Sequence, residues 1–141
     1  MKNKQTRILI FGTYDFVHYG HLHMMRQARA LAANPYLIVS VARSVNVKKI
    51  KGAKPLFSDS DRIKMLGELK LVDEVVLSAA SDYISHIAQL RPDIIALGYD
   101  QKAYTADLAS KLKDRGANPR IVRLKSYKPK VLKTSLLKQR T

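Results

Sequence analysis

The sequence predicts a doubly wound α/β fold, in which a five-stranded parallel sheet is flanked by helices on both faces. Short apolar runs rich in β-branched residues alternate along the chain with segments of helical composition, and this alternation favours parallel strands joined by helical crossovers. Several runs end at a glycine or follow a proline, as the boundaries of strands and helices do. With 141 residues, 46% of them hydrophobic, the chain is long enough to bury a core.

The first part of the chain predicts a strand, a helix and a second strand. Residues 7–11 form an apolar, β-rich run that ends at Gly12, as a buried strand would. Residues 20–33 have helical composition, and the Asn-Pro pair at 34–35 ends this helix. The apolar run over 36–42 is then the second strand.

The rest of the chain continues the alternation. A helix over 58–72 opens with Ser and Asp, which are good N-cap residues, and carries apolar residues at helical spacing. The Arg-Pro pair at 91–92 closes the next helix, and Gly116 is a plausible C-cap of the one after it. The predicted elements after residue 72 are strands over 73–78, 93–98 and 120–124, helices over 82–90 and 105–116, and a short helix near the C-terminus.

The charge of the chain is strongly positive. It has 26 Lys and Arg residues against 11 Asp and Glu, which gives a formal net charge of +15 at pH 7. One basic cluster consists of Lys48, Lys49, Lys51 and Lys54, and the other extends over 120–141 without an acidic residue. Such clusters favour anionic partners, which include nucleic acids, anionic membranes and small phosphorylated molecules.

Several classes of protein are excluded by what the sequence lacks. Without cysteine it has no disulfides, thiolate nucleophiles or cysteine-based zinc sites. No apolar run approaches the ~18 residues of a membrane span, and the run near the N-terminus is too short for a signal peptide. We therefore expect a cytoplasmic protein without a membrane partner, with a single domain over 1–141 that ends in a basic segment at about 125–141.

The predicted fold brings three polar segments to one edge of the sheet. Ligands of doubly wound sheets bind at the carboxyl ends of the strands, near the point where the strand order reverses. Residues 12–21 follow the first strand, residues 98–101 follow the fourth, and the basic C-terminal segment follows the fifth. We therefore expect the ligand site at this edge.

The stretch FGTYDFVHYGH, residues 11–21, has two histidines that admit three interpretations. As metal ligands, His18 and His21 lack the four-residue helical spacing and a third ligand nearby. A core position for both is disfavoured by their polar neighbours. Phosphate binding fits best, because Gly12 and Thr13 expose backbone amides at a strand end and Gly20 starts a helix whose N-terminus favours anions.

The stretch GTYDFVHYGH resembles the G-T-F-D-x-x-H-x-G-H motif of the cytidylyltransferase-like nucleotidyltransferases, with Tyr14 in place of the usual Phe. His18 and His21 match the two motif histidines. Five further segments follow the order and spacing of archaeal FAD synthases: ARSVNVKKIKGAKPL (42–56), DRIKML (61–66), LVDEVVL (71–77), RPDIIALGYDQ (91–101) and RIVRLKSYK (120–128). The resemblance covers essentially the whole chain and implies a Rossmann-like domain.

The activity implied by the resemblance is transfer of AMP from ATP to FMN, which gives FAD and pyrophosphate without a covalent enzyme intermediate. A divalent cation, Mg²⁺, is expected to accompany ATP, with no metal ligand assigned to a side chain, and relatives of this kind are often homodimers. Two alternatives remain. One is a glycerol-3-phosphate or sugar-phosphate cytidylyltransferase, which would use CTP and a phosphorylated alcohol. The other is a basic nucleic-acid-binding protein, disfavoured by the few aromatic residues and the lack of a binding motif.

The resemblance also implies roles for individual residues. The predicted catalytic residues are His18, His21 and Lys51. Asp15 is expected to orient His18 or the loop, or to serve as a turn residue. The predicted nucleotide-binding residues are Gly12, Thr13, Tyr14, His18, Tyr19, Gly20, His21, Asp100, Tyr127, Thr134 and Ser135, and further phosphate ligands are Lys48, Arg62 and Lys133.

The C-terminal part of this set departs from one of the two families. Glycerol-phosphate cytidylyltransferases end in an R-T-x-G-I-S-T-T segment, whereas the matching stretch here is LKTSLLKQR. Lys133, Thr134 and Ser135 match part of it, but the arginine and the Gly-Ile pair are missing. This departure favours the adenylyltransferase over the cytidylyltransferase.

Overall fold

The computed structural model describes residues 4–102 and 107–126, and it contains the predicted five-stranded parallel sheet. All strand pairs are parallel, in the order β3-β2-β1-β4-β5. Most positions of β2 and β4 and the middle of β1 are buried, whereas the edge strands have no buried position, as expected for apolar runs covered on both faces. The strands are β1 (Thr6–Gly12), β2 (Pro35–Val41), β3 (Glu74–Leu77), β4 (Ile94–Leu97) and β5 (Arg120–Arg123).

Helices pack on both faces of the sheet and form two separate cores. The helices are α1 (Tyr19–Arg29), α2 (Ser44–Lys51), α3 (Asp59–Gly67), α4 (Tyr83–Leu90) and α5 (Leu108–Lys113). Met25 of α1 and Leu66 of α3 are buried against one face of the sheet. Ile87 of α4 and Leu112 of α5 are buried against the other face. The predicted doubly wound architecture is therefore confirmed. None of the helices in the described ranges is long and apolar enough to cross a membrane.

Four helices differ from the sequence prediction, and one of them is α5, which ends at Lys113 although the prediction extended to residue 116. The helix predicted over 20–33 ends at Arg29, and the one predicted over 58–72 ends at Gly67, because in each case turns complete the connection to the next strand. Helix α2 was not predicted at all, since its lysine-rich sequence buries only Val47. Its C-terminal signal is Gly52, whose φ of 83° lies in the left-handed region that glycine adopts easily.

The reversal of strand order lies between β1 and β4, which are neighbours in the sheet but distant in sequence. Beyond this point the Gln101 side chain joins the two strand ends. Its Nε2 donates to the Phe11 carbonyl at 2.7 Å, and its Oε1 accepts from the Gly98 N–H at 2.8 Å. The loops after β1 and β4 are thus held together where a doubly wound sheet binds its ligand.

Candidate active site

The loop that leaves β1 is shaped by the ring of Tyr14. Tyr14 has a left-handed backbone conformation, with φ 54°, and its side chain is part of the core. The ring lies over Gly12, so that a Cβ on Gly12 would come within 2.7 Å of a ring atom, closer than Cβ atoms approach other groups. Gly12 is therefore required by the ring of Tyr14. This explanation does not depend on phosphate binding by the backbone amides of Gly12 and Thr13.

Asp15 fixes the other side of this loop. Its carboxylate is buried and accepts hydrogen bonds from the backbone N–H groups of Leu56 and Phe57, at 2.7 and 2.9 Å. The rings of Phe16 and Phe57 meet edge to face, with centroids 5.8 Å apart. Asp15 thus ties the segment before α3 to the loop after β1.

His18 and His21 cap the N-terminus of α1. The Gly20 N–H donates to His18 Nδ1 at 3.1 Å, and the His18 N–H donates to His21 Nδ1 at 3.2 Å. Each ring therefore accepts from a backbone donor that would otherwise lack a helical partner, as in a capping box. The two ring centroids are 4.1 Å apart, and the Tyr14 ring contacts His21 edge-on. The imidazoles are held side by side by the backbone itself.

These hydrogen bonds determine which nitrogen of each imidazole is left for a ligand. Because both Nδ1 atoms accept, a neutral ring carries its proton on Nε2, and that N–H is a donor. Burial lowers the pKa of His18, and burial together with the charge of His18 lowers the pKa of His21 to about 4. At neutral pH the pair therefore offers two uncharged donors at the positive end of a helix.

Lowering the pH from 7 towards 4 is expected to destabilise the protein through His21. Its pKa is about 4 in the folded state against an ordinary value of 6.5, so the unfolded state binds more protons between these values. The free energy of unfolding should therefore fall as the pH falls through this window. The loss is on the order of 2 kcal/mol, because one pH unit corresponds to about 1.4 kcal/mol and the ring keeps some solvent contact.

Urea unfolding of the wild type and of His21→Asn, at pH 7 and at pH 4.5, measures this contribution. The wild type should lose more of its free energy of unfolding than the variant does. An equal loss in both proteins would contradict the lowered pKa of His21.

A cavity of about 460 Å³ opens at the carboxyl edge of the sheet. Its lining comes from the end of β1, from β2, from α2 and α4, and from the segments that follow β3 and β4. Gly12 and Thr13 line the cavity and lead along the chain to His18 and His21, which are not part of its lining. A volume in this range is typical of small-molecule sites. The candidate site thus consists of a cavity and, beyond residues 12–13, the capped N-terminus of α1.

Two of the residues predicted to bind ligands line this cavity with charged side chains. Lys51 is the last residue of α2, and its Nζ donates to the Thr13 hydroxyl at 3.3 Å. Asp100 enters from the loop after β4, together with Lys102, which was not predicted. Lys48 is exposed and is not among the lining residues. The lysine of the basic cluster that reaches the cavity is therefore Lys51.

The prediction that Arg62 binds phosphate is not supported by the structure. Arg62 is completely buried, and the five N–H groups of its guanidinium have protein acceptors. It therefore joins the loops after β1 and β2 to the start of α3 and has no donor left for a ligand. Its acceptors are the carbonyls of Thr13, Ala42 and Phe57, the Ser44 hydroxyl and the Asp59 carboxylate.

The remaining predicted residues are only partly at the site. The Gly20 N–H donates to Nδ1 of the capping residue His18, and the exposed ring of Tyr19 lies 5.4 Å from the Arg26 guanidinium. The side chain of Tyr14 is in the core, so a nucleotide contact would have to involve its backbone. Tyr127, Lys133, Thr134 and Ser135 lie outside the described residues.

Besides Lys102, the polar residues of the site that were missed from the sequence include Gln101, Ser40 and His86. Gln101 was read only as part of a loop, although it joins β1 to β4. Ser40 and His86 line the cavity and contact each other, with 3.2 Å between Ser40 Oγ and His86 Nε2. The available signal was that each interrupts an apolar stretch, in YLIVSVA and in DYISHIAQL.

Comparison with known proteins places the chain among curated relatives of nearly its own length. The FAD synthase of Thermoplasma acidophilum is 37% identical over 134 residues, 95% of this chain and 92% of that protein. The FAD synthase of Thermococcus sibiricus is 38% identical over 141 residues, 99% of this chain and 94% of that protein. The FAD synthase of Korarchaeum cryptofilum is 43% identical over 122 residues, 86% of this chain and 82% of that protein.

Solved structures share the fold. One described as a lipopolysaccharide core biosynthesis protein from Thermoplasma volcanium has a TM-score of 0.80 and 35% identity, covering 88% of this chain and 99% of that chain. Pantoate-beta-alanine ligase from Francisella tularensis, at 17% identity, shares the fold alone, with a TM-score of 0.61 over 100% of this chain and 67% of that chain. A sequence model of the cytidylyltransferase-like family matches residues 9–140. The chain therefore belongs to the cytidylyltransferase-like family, among relatives that are FAD synthases.

Proposed function

We propose that this protein is an FMN adenylyltransferase, which transfers AMP from ATP to FMN and produces FAD and pyrophosphate. The observation that carries the proposal is the pair of neutral imidazole donors at the N-terminus of α1, close in the chain to a cavity with room for a second small molecule. The archaeal relatives named FAD synthase supply the identity of the two substrates.

The reaction requires positioning and charge stabilisation more than proton transfer. A phosphate oxygen of FMN forms a bond to the α-phosphorus of ATP. The bond from that phosphorus to the bridging oxygen breaks, and its electron pair leaves with pyrophosphate. Negative charge increases on the oxygens around the phosphorus, and fixed N–H donors stabilise it without reorganising. No nucleophilic side chain is needed.

The residues around Thr13 fit these requirements. We assign the Nε2–H groups of His18 and His21 to oxygens of the triphosphate, where the positive end of α1 adds a favourable field. Lys51 stands at the cavity wall beside Thr13, where its charge would neutralise the phosphate of the acceptor or the triphosphate. Asp100 lines the same cavity and remains our candidate for contact with the nucleoside.

A divalent cation would be held mainly by the substrate. Within residues 4–102 and 107–126, no group of three or more His, Asp or Glu side chains lies together as a metal site. The Asp15 carboxylate accepts two backbone hydrogen bonds and is already occupied. Mg²⁺ is therefore proposed to enter with ATP, coordinated by phosphate oxygens and water, and to supply further charge neutralisation.

The proposal is tested by pairing each nucleotide with each acceptor. Purified protein is incubated with Mg²⁺ and either ATP or CTP, together with FMN, glycerol 3-phosphate or a sugar phosphate. Sugar phosphates belong in the panel because one structural neighbour is described as a lipopolysaccharide core biosynthesis protein. FAD from ATP and FMN is the expected product. Pyrophosphate release only with CTP and a phosphorylated alcohol would establish the cytidylyltransferase alternative instead.

Lys51→Ala is expected to lower kcat/KM for FAD formation about 100-fold, because a positive charge beside the reacting phosphates is lost. Lys49→Ala is the matched control, since Lys49 belongs to the same helix and basic cluster and is exposed like Lys51, but it does not line the cavity. It should retain nearly full activity. Equal effects of the two substitutions on steady-state kinetics would show that Lys51 contributes only to the general positive charge.

Several sequence predictions remain predictions. They are the homodimer, the cytoplasmic location, the single domain over 1–141 and the nucleotide contacts of the C-terminal segment. The nucleic-acid-binding alternative is tested by a gel shift at ~200 mM salt, where nonspecific phosphate contacts should have weakened strongly.

A further inference from the structure

The floor of the cavity contains a polar pair that neither the fold nor the proposed phosphate chemistry requires. Phe11, Ser40 and Val76 occupy the same level of β1, β2 and β3. Two residues earlier, the equivalent positions of β1 and β2 are the core residues Leu9 and Ile38. Ser40 therefore stands where an apolar side chain would continue the core, and its small size leaves space above the sheet.

His86 covers this serine from α4. In the sequence of α4 it lies between Ile84 and Ile87, which are the buried residues of this helix. Its Nε2 is 3.2 Å from Ser40 Oγ. Both residues line the cavity, and Ser40 is only 1% exposed. Burial and the nearby charge of Arg43 lower the pKa of His86, so the ring is neutral at pH 7. A neutral imidazole and a hydroxyl together can donate one hydrogen bond and accept another.

The surroundings of the pair suit a flat aromatic molecule. Phe11, Val47, Ile50, Tyr83 and Ile87 give the cavity apolar walls, and the pair stands among them at the level of the sheet. Polar groups in such a place are costly unless they are hydrogen-bonded, and they provide orientation when a ligand takes up their remaining capacity. Binding of a phosphate or a phosphorylated alcohol alone would not require a hydrogen-bonding pair between apolar walls.

We propose that Ser40 and His86 are specificity-determining residues that bind the imide edge of the flavin ring of the acceptor. That edge presents a carbonyl, an N–H and a second carbonyl in a row. The pair is complementary to this edge in either of its two hydrogen-bonding states. When the Ser40 hydroxyl donates to His86, its oxygen can accept from the imide N–H. When His86 donates to Ser40, the hydroxyl can donate to a carbonyl. This inference rests on the proposed function, and it assigns the flavin end of FMN to the cavity floor and the phosphate end to Thr13 and Lys51.

The test combines protein variants with a modified flavin. Binding of FMN and of N3-methyl FMN, in which the imide N–H is blocked, is followed by quenching of flavin fluorescence in the full-length protein. The variants are His86→Phe, which keeps a flat ring without nitrogens, His86→Asn, which keeps a donor and an acceptor, and Ser40→Ala, which removes only a hydroxyl. If His86→Phe does not fold, Ser40→Ala still tests the proposal.

The wild type should bind FMN about 10-fold more tightly than N3-methyl FMN, as expected for one hydrogen bond at a desolvated site. His86→Phe and Ser40→Ala should bind FMN 5- to 10-fold more weakly and should no longer distinguish the two flavins, whereas His86→Asn should recover part of the difference. The KM for ATP should be unchanged in all three variants. Unchanged FMN binding, or unchanged discrimination, in both His86→Phe and Ser40→Ala would overturn the inference.

The two proposals fail in different ways. If the wild type forms no FAD from ATP and FMN, the proposed function is wrong, whatever the variants do. If the wild type forms FAD while His86→Phe and Ser40→Ala bind both flavins as the wild type does, the function stands and only the role of Ser40 and His86 is wrong.

Discussion

Alanine at His18 or at His21 is expected to lower kcat for FAD formation by about 100- to 1000-fold, which is the usual effect of removing one fixed donor from a developing oxyanion. Each substitution removes one of the two Nε2–H groups that the backbone of α1 holds side by side. Single-turnover rates with saturating ATP and FMN measure this effect apart from product release.

The two roles of His18 can be separated, because its Nδ1 caps α1 while its Nε2–H is free for a ligand. Alanine removes both groups and should also cost about 1 kcal/mol of stability. Asparagine is a good N-cap residue, so His18→Asn should restore the stability but not the rate. Thermal unfolding and kinetics of the two variants side by side distinguish the cap from the catalytic donor.

His23→Ala is the matched control for these substitutions. His23 lies on the same helix, two residues after His21, and its ring contacts Gln27. This variant should keep nearly the full rate. A His18→Ala, His21→Ala double variant that folds and turns over at a near-normal rate would contradict the assignment of the pair.

Replacing Arg62 by methionine is expected to lower the free energy of unfolding by about 3–5 kcal/mol, the largest effect on stability that we expect from one residue. Methionine fills part of the volume but removes the guanidinium that donates to the carbonyls of Thr13 and Ala42 and pairs with the Asp59 carboxylate. Arg62→Lys should recover little, because a single ammonium cannot reach acceptors spread around a planar guanidinium. Urea unfolding monitored by circular dichroism measures the loss.

Lys64→Met, two residues further along α3, is the control for Arg62→Met. Lys64 is exposed, and the same substitution there should change the free energy of unfolding by no more than about 0.5 kcal/mol. A stable Arg62→Met protein with reduced affinity for ATP would reverse our interpretation and return Arg62 to the phosphate ligands.

The sheet was predictable because its central strands are short apolar runs with clear ends. Burial on both faces allows nearly every position of β2 and β4 to be apolar, so no periodicity is needed to recognise them. The helices were less predictable at their ends. Helix α1 has helical composition well beyond Arg29, and only the tertiary structure decides where it stops. Helix α2 could not be recognised from the hydrophobic pattern, because three of its eight residues are lysines and its buried side chain is a single valine.

The site was predictable only where it is continuous in the sequence. The stretch from Gly12 to His21 contains the whole motif within ten residues, so the role of the histidine pair could be predicted from the sequence and its family resemblance. Arg62 and Gln101 act on atoms that are 49 and 90 residues away, and nothing local distinguishes a bridging side chain from a ligand. Ser40 and His86 were likewise separated by 46 residues until the fold brought them together.

The most direct test of nucleotidyl transfer is to follow the phosphates of ATP separately. The protein is incubated with Mg²⁺ and FMN, and with ATP labelled with ³²P either at the α- or at the γ-position. If AMP is transferred to FMN, the α-label should appear in FAD and the γ-label in pyrophosphate, in equal amounts. Recovery of the γ-label in a phosphorylated acceptor or in inorganic phosphate, with no α-label in FAD, would contradict it.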